Sequence, residues 1–205
     1  MEVCFIIGNN IDLTSYDFSN KVVVGIDKGA YLGYLANIKL DYAIGDFDSI
    51  SACELKLLEE YTKVIKLNPI KDDTDTMYAL NMFSGCEKLT ILGGIMGPRI
   101  DHFVANLKLF YKYSNLVMID NNTFIMEVKN DDRFPNDEYK YYSLFALEDV
   151  CDLTLEGFKY PLNNYFLSKE NPLGVSNEII DDIAKVTFSS GKLLLIKTKG
   201  EENEK

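Results

Sequence analysis

The fold is decided by one stretch, Tyr42-Ala43-Ile44-Gly45-Asp46-Phe47-Asp48-Ser49, and by the helical pattern that follows it. Its first residues form a short apolar run, as expected of a buried strand, and Gly45 allows the chain to turn sharply where that strand ends. The next segment, Ser51–Tyr61, begins with a capping-box pattern in which Ser51 is followed three residues later by Glu54. The stretch therefore predicts a strand, a turn that carries two carboxylates, and a helix.

The same alternation recurs through residues 1–121. Further short, β-branched apolar runs predict strands at Val3–Ile7, Val22–Ile26, Val64–Leu67, Leu89–Leu92 and Leu116–Ile119. Helical patterns lie between them at Ala30–Asn37, Asp75–Phe83 and Asp101–Tyr113. Strands that alternate with helices predict an α/β, Rossmann-like domain with a mostly parallel sheet. Such sheets bind ligands beyond the carboxyl ends of their strands, where the polar motifs of this chain fall.

Residues 122–205 have a different character and are predicted to form a second, small all-β sandwich domain or barrel. Short runs with β preference occur at Tyr139–Ala146, Cys151–Leu155, Tyr165–Leu167, Lys185–Phe188 and Leu193–Ile196. Turn residues separate these runs, and we find no convincing helical pattern. Asn130–Asp137 contains acidic residues and a proline, so we expect an exposed turn or linker there.

The composition excludes several classes of function. The chain has 205 residues, of which 47% are hydrophobic, so it can build a core and global disorder is not expected. The net charge of −11 leaves no basic surface for nucleic acid or for an anionic membrane. We see no signal peptide or membrane span and expect a cytoplasmic protein. The four cysteines lie far apart, which predicts neither a disulfide framework nor a zinc site.

Acidic residues crowd at two of the predicted strand ends. Asp46 and Asp48 lie two residues apart after one strand, and Asp72, Asp73 and Asp75 precede a helix. Helix capping accounts for one or two such carboxylates, and a lone Asp-x-Asp is also common as a turn before a helix. Crowded carboxylates raise each other's pKa unless a cation neutralises them, and oxygen ligands of this kind suit Mg²⁺. Together the two clusters predict a magnesium site.

Other residues at these ends favour an anionic substrate. The glycine-rich segment Gly93–Arg99 follows a strand, and its backbone amides and Arg99 suit phosphate, although the Walker pattern is absent. Asp27 and Lys28 end another strand, where Asp27 suits a ribose or a metal-bound water. His102, the only histidine, is expected to have a hydrogen-bonded structural role at a helix start. The residues thus predict a Mg²⁺-dependent enzyme that acts on a nucleoside triphosphate.

The ordered set of motifs resembles the thiamine pyrophosphokinase family. The match runs through Asp27–Ala30, Gly45–Ser49, Asp72–Thr76, Gly97–His102 with Asn106-Leu107, and Ser176–Glu178. The resemblance implies an α/β catalytic domain followed by a β-sandwich, and transfer of pyrophosphate from ATP to the thiamine hydroxyl with release of AMP. It also implies a homodimer in which thiamine is held between the first domain of one subunit and the second domain of the other.

The resemblance also assigns roles to residues. Asp46, Asp48, Asp72 and Asp75 would surround Mg²⁺ and the triphosphate, and Arg99 and Asp101 would serve the phosphates and the reacting hydroxyl. The ATP site would include Asp27, Lys28, Ser49, Thr74 and Arg99. The thiamine site would include Asp75, Asp101, Ser176 and Asn177. One departure concerns position 28, where the family's usual glycine is a lysine, which could instead reach a phosphate.

From the chemistry of the residues alone, two other functions remain open. A Mg²⁺-dependent phosphohydrolase could use Asp46 as a nucleophile. A non-catalytic nucleotide sensor would bind ATP without turnover. The motif Ser176-Asn177-Glu178, taken without the family, is a polar turn. Formation of AMP only in the presence of thiamine would distinguish the pyrophosphokinase from both alternatives.

Overall fold

A computed structural model of the chain describes residues 1–8, 11–70, 73–97 and 99–200, which form two compact units divided between Asn121 and Asn122. Asp72 and Pro98 therefore lie outside the described residues. Among the described residues, no helix combines the length and the apolar composition needed to cross a lipid bilayer.

The first unit is an α/β layer structure with six parallel strands. The strands are β1 (Glu2–Ile6), β2 (Lys21–Ile26), β3 (Tyr42–Gly45), β4 (Lys63–Lys66), β5 (Lys88–Leu92) and β6 (Leu116–Ile119). The helices are α1 (Lys28–Leu35), α2 (Ala52–Tyr61), α3 (Asp75–Met82) and α4 (Ile100–Lys108), with 3₁₀ turns at Leu13–Ser15 and Leu109–Tyr111. The strand order is β4-β3-β2-β1-β5-β6.

Burial explains why the strands of the first unit were recognisable. The central strands β1 and β5 are buried on both faces, which is why their sequences are continuous apolar runs rather than alternating ones. The edge strand β4 exposes a lysine at each end, which discourages pairing with another chain. The chain leaves β1 through β2, β3 and β4 and returns on the other side at β5, so the strand order reverses beside β1. Ligands bind at such a reversal point in open α/β sheets.

The predicted start of α2 is confirmed in detail. The Ser51 hydroxyl accepts a hydrogen bond from the Glu54 N–H at 3.3 Å, and the Glu54 carboxylate accepts one from the Ser51 N–H at 2.7 Å. This capping box satisfies two backbone donors at the helix end. The stretch that decides the fold therefore forms the predicted strand, turn and helix.

The second unit is all-β, as predicted. Its strands are β7 (Thr123–Val128), β8 (Asp132–Pro135), β9 (Tyr141–Glu156), β10 (Leu162–Leu167), β11 (Gly174–Asn177), β12 (Ile183–Thr187) and β13 (Ser190–Thr198). The first half of β9 pairs with β13 and β11, and its second half pairs with β12 and β10. The strand β9 thus pairs with four other strands of the unit. Its buried side chains pack with those of β13 in a single core.

Three expectations for the second half were wrong in detail. Asn130–Asp137 is not a linker, because Asp132–Pro135 forms β8 and pairs with β12 from Ile183 to Val186. The predicted strands Tyr139–Ala146 and Cys151–Leu155 are replaced by one strand, β9, which begins at Tyr141 and ends at Glu156. Ser176 and Asn177 are not a free polar turn, since they end β11.

Candidate active site

A cavity of about 600 Å³ opens at the carboxyl ends of the strands of the first unit. Residues that end or follow β1, β2, β3 and β5 contribute to its wall, as do the first residues of α3 and one face of α4. Its polar side chains are those of Asp27, Lys28, Asp46, Asp48, Ser49, Asp73, Thr74, Asp75, Thr76, Arg99, His102 and Asn106. The structure therefore brings most of the predicted site residues of the first unit to one place.

Three carboxylates form the centre of this site. Each of Asp27, Asp46 and Asp75 offers an oxygen, and these oxygens all lie within 4.8 Å of one another. They come from the end of β2, the end of β3 and the first turn of α3. Like charges at this spacing repel unless protons or a cation neutralise them. The donor set consists of half-buried carboxylate oxygens, which suits a hard divalent cation such as Mg²⁺.

Asp27 has the most perturbed environment of the three. Burial, reinforced by the negative charges of Asp75 and Asp46, raises its pKa from 3.8 to about 7. Its backbone is also unusual, with φ 47° and ψ −123°, and its side chain does not cap α1. A non-glycine residue in such a conformation costs on the order of 1–3 kcal/mol, so the surrounding contacts must hold it there. Strain and pKa both indicate that this position serves a ligand.

Two neighbours hold Asp27 in place. The Asp27 N–H donates to the Ile44 carbonyl oxygen at 3.0 Å, and the Asp27 carboxylate accepts from the Phe47 N–H at 3.3 Å. A Cβ atom added at Gly45 would lie 1.9 Å from the Asp27 Oδ1 atom. Gly45 therefore supplies the space for this carboxylate, in addition to the turn expected from sequence.

Asp48 lies in the same cavity as the three carboxylates. It is exposed and lines the cavity, and its N–H donates to the Asp46 carboxylate at 3.1 Å. It is not a member of the close group of three, whose third member is Asp27. The sequence pattern predicts Asp27 at a ribose or a metal-bound water and does not place it among the direct ligands of the cation. The sequence signal was present, because Asp27 and Asp46 end consecutive predicted strands.

Arg99 and Asp101 form a fork-like ion pair. The Arg99 Nε atom donates to both Asp101 oxygens at 2.9 and 3.2 Å, and Nη2 lies 2.6 Å from Oδ2. This pairing lowers the pKa of Asp101 to about 2. Arg99 lines the cavity, whereas Asp101 is not among its lining residues. Asp101 is thus a weak base that orients an arginine.

His102 differs from the structural role expected for it. Its side chain is 65% exposed and lines the cavity, with Nε2 3.9 Å from the Asp101 carboxylate. Lys28 is also exposed to the cavity, and Ser49 and Thr74 complete this part of its wall. The Thr74 hydroxyl accepts the Met77 N–H at 3.2 Å and so caps α3.

Position 28 accepts a lysine because close backbone approach occurs one residue later. A Cβ atom added at Gly29 would lie 2.0 Å from the Ile6 carbonyl oxygen. Gly29 therefore lets α1 pack against β1, while the side chain of residue 28 faces solvent. The departure from the family pattern is sterically harmless.

Ser176 and Asn177 belong to the second unit. The Ser176 side chain is exposed, and its N–H donates to the Ser143 hydroxyl at 3.0 Å. Asn177 is buried and exchanges two hydrogen bonds with the Tyr160 backbone, at 3.0 and 2.9 Å. Its amide oxygen also accepts the Glu178 N–H at 3.0 Å. Asn177 therefore holds the adjacent loop, and Ser176 is the more accessible of the pair.

The fold and the site define a class of protein: a two-unit chain whose α/β part carries an acidic, oxygen-only site beside basic groups, as in metal-dependent enzymes of phosphoryl transfer. Comparison with known proteins identifies the family within this class. A family model described as the thiamin pyrophosphokinase catalytic domain matches residues 14–119, and one described as the vitamin B1 binding domain matches residues 126–193.

Individual relatives agree with the family models. Thiamine pyrophosphokinase from Bacillus subtilis (strain 168) is 35% identical over 198 residues, which cover 91% of this chain and 92% of the relative. A crystal structure of thiamine pyrophosphokinase from Bacillus subtilis, 32% identical, has a TM-score of 0.88 in a match that covers 98% of this chain and 100% of that chain. The thiamin pyrophosphokinase structure from Geobacillus thermodenitrificans, 29% identical, also has a TM-score of 0.88. The chain belongs to the thiamine pyrophosphokinase family, which confirms the resemblance and the predicted fold class and does not favour either alternative function.

Proposed function

We propose that the protein transfers the pyrophosphoryl group of ATP to the hydroxyl of thiamine, giving thiamine diphosphate and AMP, as its family implies. The observation that carries this proposal is the group of three carboxylates within 4.8 Å of one another, in a cavity that Lys28, Arg99 and His102 also line. An acidic cluster beside basic side chains suits a polyanion that is bound together with a cation.

The carboxylates are proposed to hold Mg²⁺. Asp27, Asp46 and Asp75 are the residues that the geometry selects, with Asp48 and Asp73 within the same cavity. Asp72 remains a predicted ligand outside the described residues. Bound Mg²⁺ would offset the negative charge of the phosphate oxygens and of the carboxylates.

The basic side chains are proposed to bind and orient the triphosphate. Arg99 can donate to phosphate oxygens from the guanidinium N–H groups that do not bond to Asp101. The ion pair with Asp101 holds the guanidinium in position before ATP binds. Lys28 adds a flexible positive charge, and Ser49 and Thr74 complete the proposed ATP contacts. Because Asp101 has a pKa of about 2, we assign it to positioning Arg99 rather than to accepting the hydroxyl proton.

In the reaction, the thiamine hydroxyl oxygen attacks the β-phosphorus, and the bond from that phosphorus to the oxygen bridging the α-phosphate breaks. The hydroxyl proton leaves to a base in the cavity, and AMP departs with its phosphate. The protein's main task is to align these groups, since little covalent chemistry is required of it. The negative cavity also attracts thiamine, which is a cation.

Thiamine is proposed to contact the second unit through Ser176. The family model that names vitamin B1 binding covers this region, and the Ser176 side chain is exposed there. Replacement Ser176→Ala should raise the KM for thiamine by roughly threefold to tenfold, since one hydrogen bond is lost, and should leave the KM for ATP unchanged. Steady-state kinetics with each substrate varied in turn measure this. A rise in the KM for ATP instead would show that the proposal assigns the wrong substrate to the second unit.

We further propose a cytoplasmic homodimer in which the second unit of one subunit completes the site of the other. The exposed apolar side chains of Phe166 and Val175 on the second unit support an interface. The cytoplasm supplies the ATP that the reaction consumes. Light scattering should show a dimer, and a monomer with full activity at nanomolar concentration would contradict the proposal.

The experiment that tests the function is incubation with ATP, Mg²⁺ and thiamine, followed by chromatography. The proposal predicts thiamine diphosphate and AMP in equal amounts, with no AMP when thiamine is omitted. Phosphate release without thiamine would indicate the phosphohydrolase. Tight ATP binding with no turnover would indicate the sensor.

A further inference from the structure

Asn106 lines the cavity although its side chain is almost entirely buried. It is 7% exposed and lies on α4, one turn after His102. Its Nδ2 atom donates to the Gly94 carbonyl oxygen at 3.4 Å. A buried amide on the wall of a polar site connects the helix to the turn that follows β5.

The turn after β5 is packed so closely that side chains are excluded. Gly93 and Gly94 have φ values of 84° and 71°, which favour glycine. A Cβ atom at Gly94 would lie 2.4 Å from the Ile7 Cδ1 atom and 3.2 Å from the Asn106 Nδ2 atom, and one at Gly8 would lie 2.9 Å from the Gly94 nitrogen. The backbone of the turn therefore forms part of the cavity wall between β1 and β5, where the strand order reverses.

Two hydrogen bonds already fix the start of this turn. The Ile7 N–H donates to the Leu92 carbonyl oxygen at 3.1 Å, and the Gly93 N–H donates to the Ile119 carbonyl oxygen at 2.8 Å. The next peptide group, between Gly94 and Ile95, is held at its carbonyl oxygen by Asn106. In a trans peptide the N–H points opposite to the C=O, so fixing one fixes the other.

We propose that Asn106 is a positioning residue for the nucleotide, because it prevents rotation of the Gly94–Ile95 peptide group. Gly94 can adopt either hand of backbone conformation, so this peptide could otherwise turn its carbonyl oxygen toward the bound anion. A carbonyl oxygen in that position would repel phosphate. The Gly94 carbonyl oxygen does not, because its hydrogen bond to the Asn106 amide keeps it turned toward α4. The inference rests on the proposed function in that the anion is the triphosphate of ATP.

The test compares Asn106 with a matched asparagine. Asn115 makes the same kind of bond, from Nδ2 to the Cys86 carbonyl oxygen at 2.7 Å, but it precedes β6 and is not among the cavity residues. The variants are Asn106→Leu, Asn106→Ala and Asn115→Leu. Leucine keeps the approximate size of the amide, and alanine removes any effect of a badly fitting side chain.

Isothermal titration calorimetry with ATP and Mg²⁺, and separately with thiamine, is the readout, together with urea unfolding. Both Asn106 variants should raise the Kd for ATP about tenfold, as loss of a hydrogen-bonded constraint allows, and change the Kd for thiamine less than twofold. Asn115→Leu should lower the unfolding midpoint and leave both Kd values unchanged.

An unchanged ATP Kd in the Asn106 variants would overturn the inference, as would an equal rise in Asn115→Leu or a change confined to thiamine. If Asn106→Leu does not fold, Asn106→Ala decides. Wild-type protein that binds ATP but makes no thiamine diphosphate would contradict the proposed function alone, since the comparison of ATP affinities would still stand.

Discussion

Two clusters of charged side chains, one in each unit, have opposite arrangements of charge. In the first unit, Asp27, Asp46 and Asp75 place like charges together, and the pKa of Asp27 rises to about 7. In the second unit, Asp137 accepts hydrogen bonds from Lys197 and Tyr142. Burial opposes ionisation of Asp137, but these bonds outweigh it and lower its pKa.

The difference separates a binding site from a structural contact. The Lys197 ammonium pairs with the Asp137 carboxylate and lies 4.3 Å from the centre of the Tyr139 ring and 5.1 Å from that of Phe124, so its charge is satisfied within the unit. In the first unit, three carboxylates instead offer oxygens within 4.8 Å of one another, and a bound cation would offset their mutual repulsion. Like charges that the fold holds together are typical of a ligand-binding site.

The largest effect should follow from removing one of the three carboxylates. Asp46→Asn or Asp75→Asn should lower kcat/KM by about 10²-fold or more, because a ligand for the cation is lost, while the fold is kept or slightly stabilised as repulsion falls. Product formation at saturating Mg²⁺ and urea unfolding measure the two quantities. The matched variant Asp137→Asn should do the reverse, with lower stability and normal turnover per folded molecule. Near-normal turnover of Asp46→Asn would remove that residue from the site.

The ion pair between Lys197 and Asp137 should contribute to the stability of the fold. Lys197→Met removes the cation partner of the exposed Asp137 carboxylate, which keeps its hydrogen bonds from the Tyr142 hydroxyl and the Tyr139 N–H, and we expect a loss of about 1.5 kcal/mol in the free energy of unfolding. Lys159→Met breaks the ion pair between Lys159 and Glu178. The Lys159 side chain is 46% exposed, so this change should cost less than about 1 kcal/mol. Equal losses in the two variants, measured by urea unfolding, would mean that the Lys197–Asp137 pair stabilises the fold no more than an exposed ion pair does.

Gly45 connects the backbone turn to the acidic group. In Gly45→Ala the new Cβ atom would lie 1.9 Å from the Asp27 carboxylate, so Asp27 must move, and kcat/KM should fall roughly tenfold. Gly85→Ala is the control, since a Cβ atom there meets nothing within 4 Å. A fall of the same size in the control would show that the effect is not specific to Asp27.

A further effect concerns pH. Because the pKa of Asp27 is raised from 3.8 to about 7, the folded protein retains a proton that the unfolded chain has released between those values. Stability from this group is therefore present below about pH 4 and is lost as the pH rises to about 7. In Asp27→Asn the free energy of unfolding should therefore fall less steeply with pH across this range. The difference in slope should correspond to the uptake or release of up to about one proton on unfolding. Identical slopes in the metal-free wild type and variant would contradict the shift.

The sequence predicts the first unit better than the second for a physical reason. Strands buried on both faces, such as β1 and β5, are continuous apolar runs, and the capping box of Ser51 and Glu54 is a local signal. The strand β8 instead contains aspartate and proline, which are typical of turns, and it exists because β12 pairs with it across a large separation in sequence. The β propensity of the local sequence cannot predict pairing between strands that lie far apart in the chain.

The same distinction applies to the site. The acidic residues after β3 and before α3 were recognisable because they exceed what helix capping needs. Which carboxylates meet depends on β2 and β3 being neighbours, with Ile26 opposite Ile44, and on the space at Gly45. Asp27 therefore replaces Asp48 in the close group, a result that requires strand order and backbone geometry.

The central claim is that the clustered carboxylates of Asp27, Asp46 and Asp75 bind the nucleotide through a cation. Its most direct test is the Kd for ATP, measured by calorimetry with Mg²⁺ and with excess chelator, in wild type and in Asp46→Asn. The account predicts that ATP binding to the wild type weakens at least about tenfold without Mg²⁺, and that Asp46→Asn loses most of this dependence. Equal ATP affinity of the wild type with and without Mg²⁺ would contradict it.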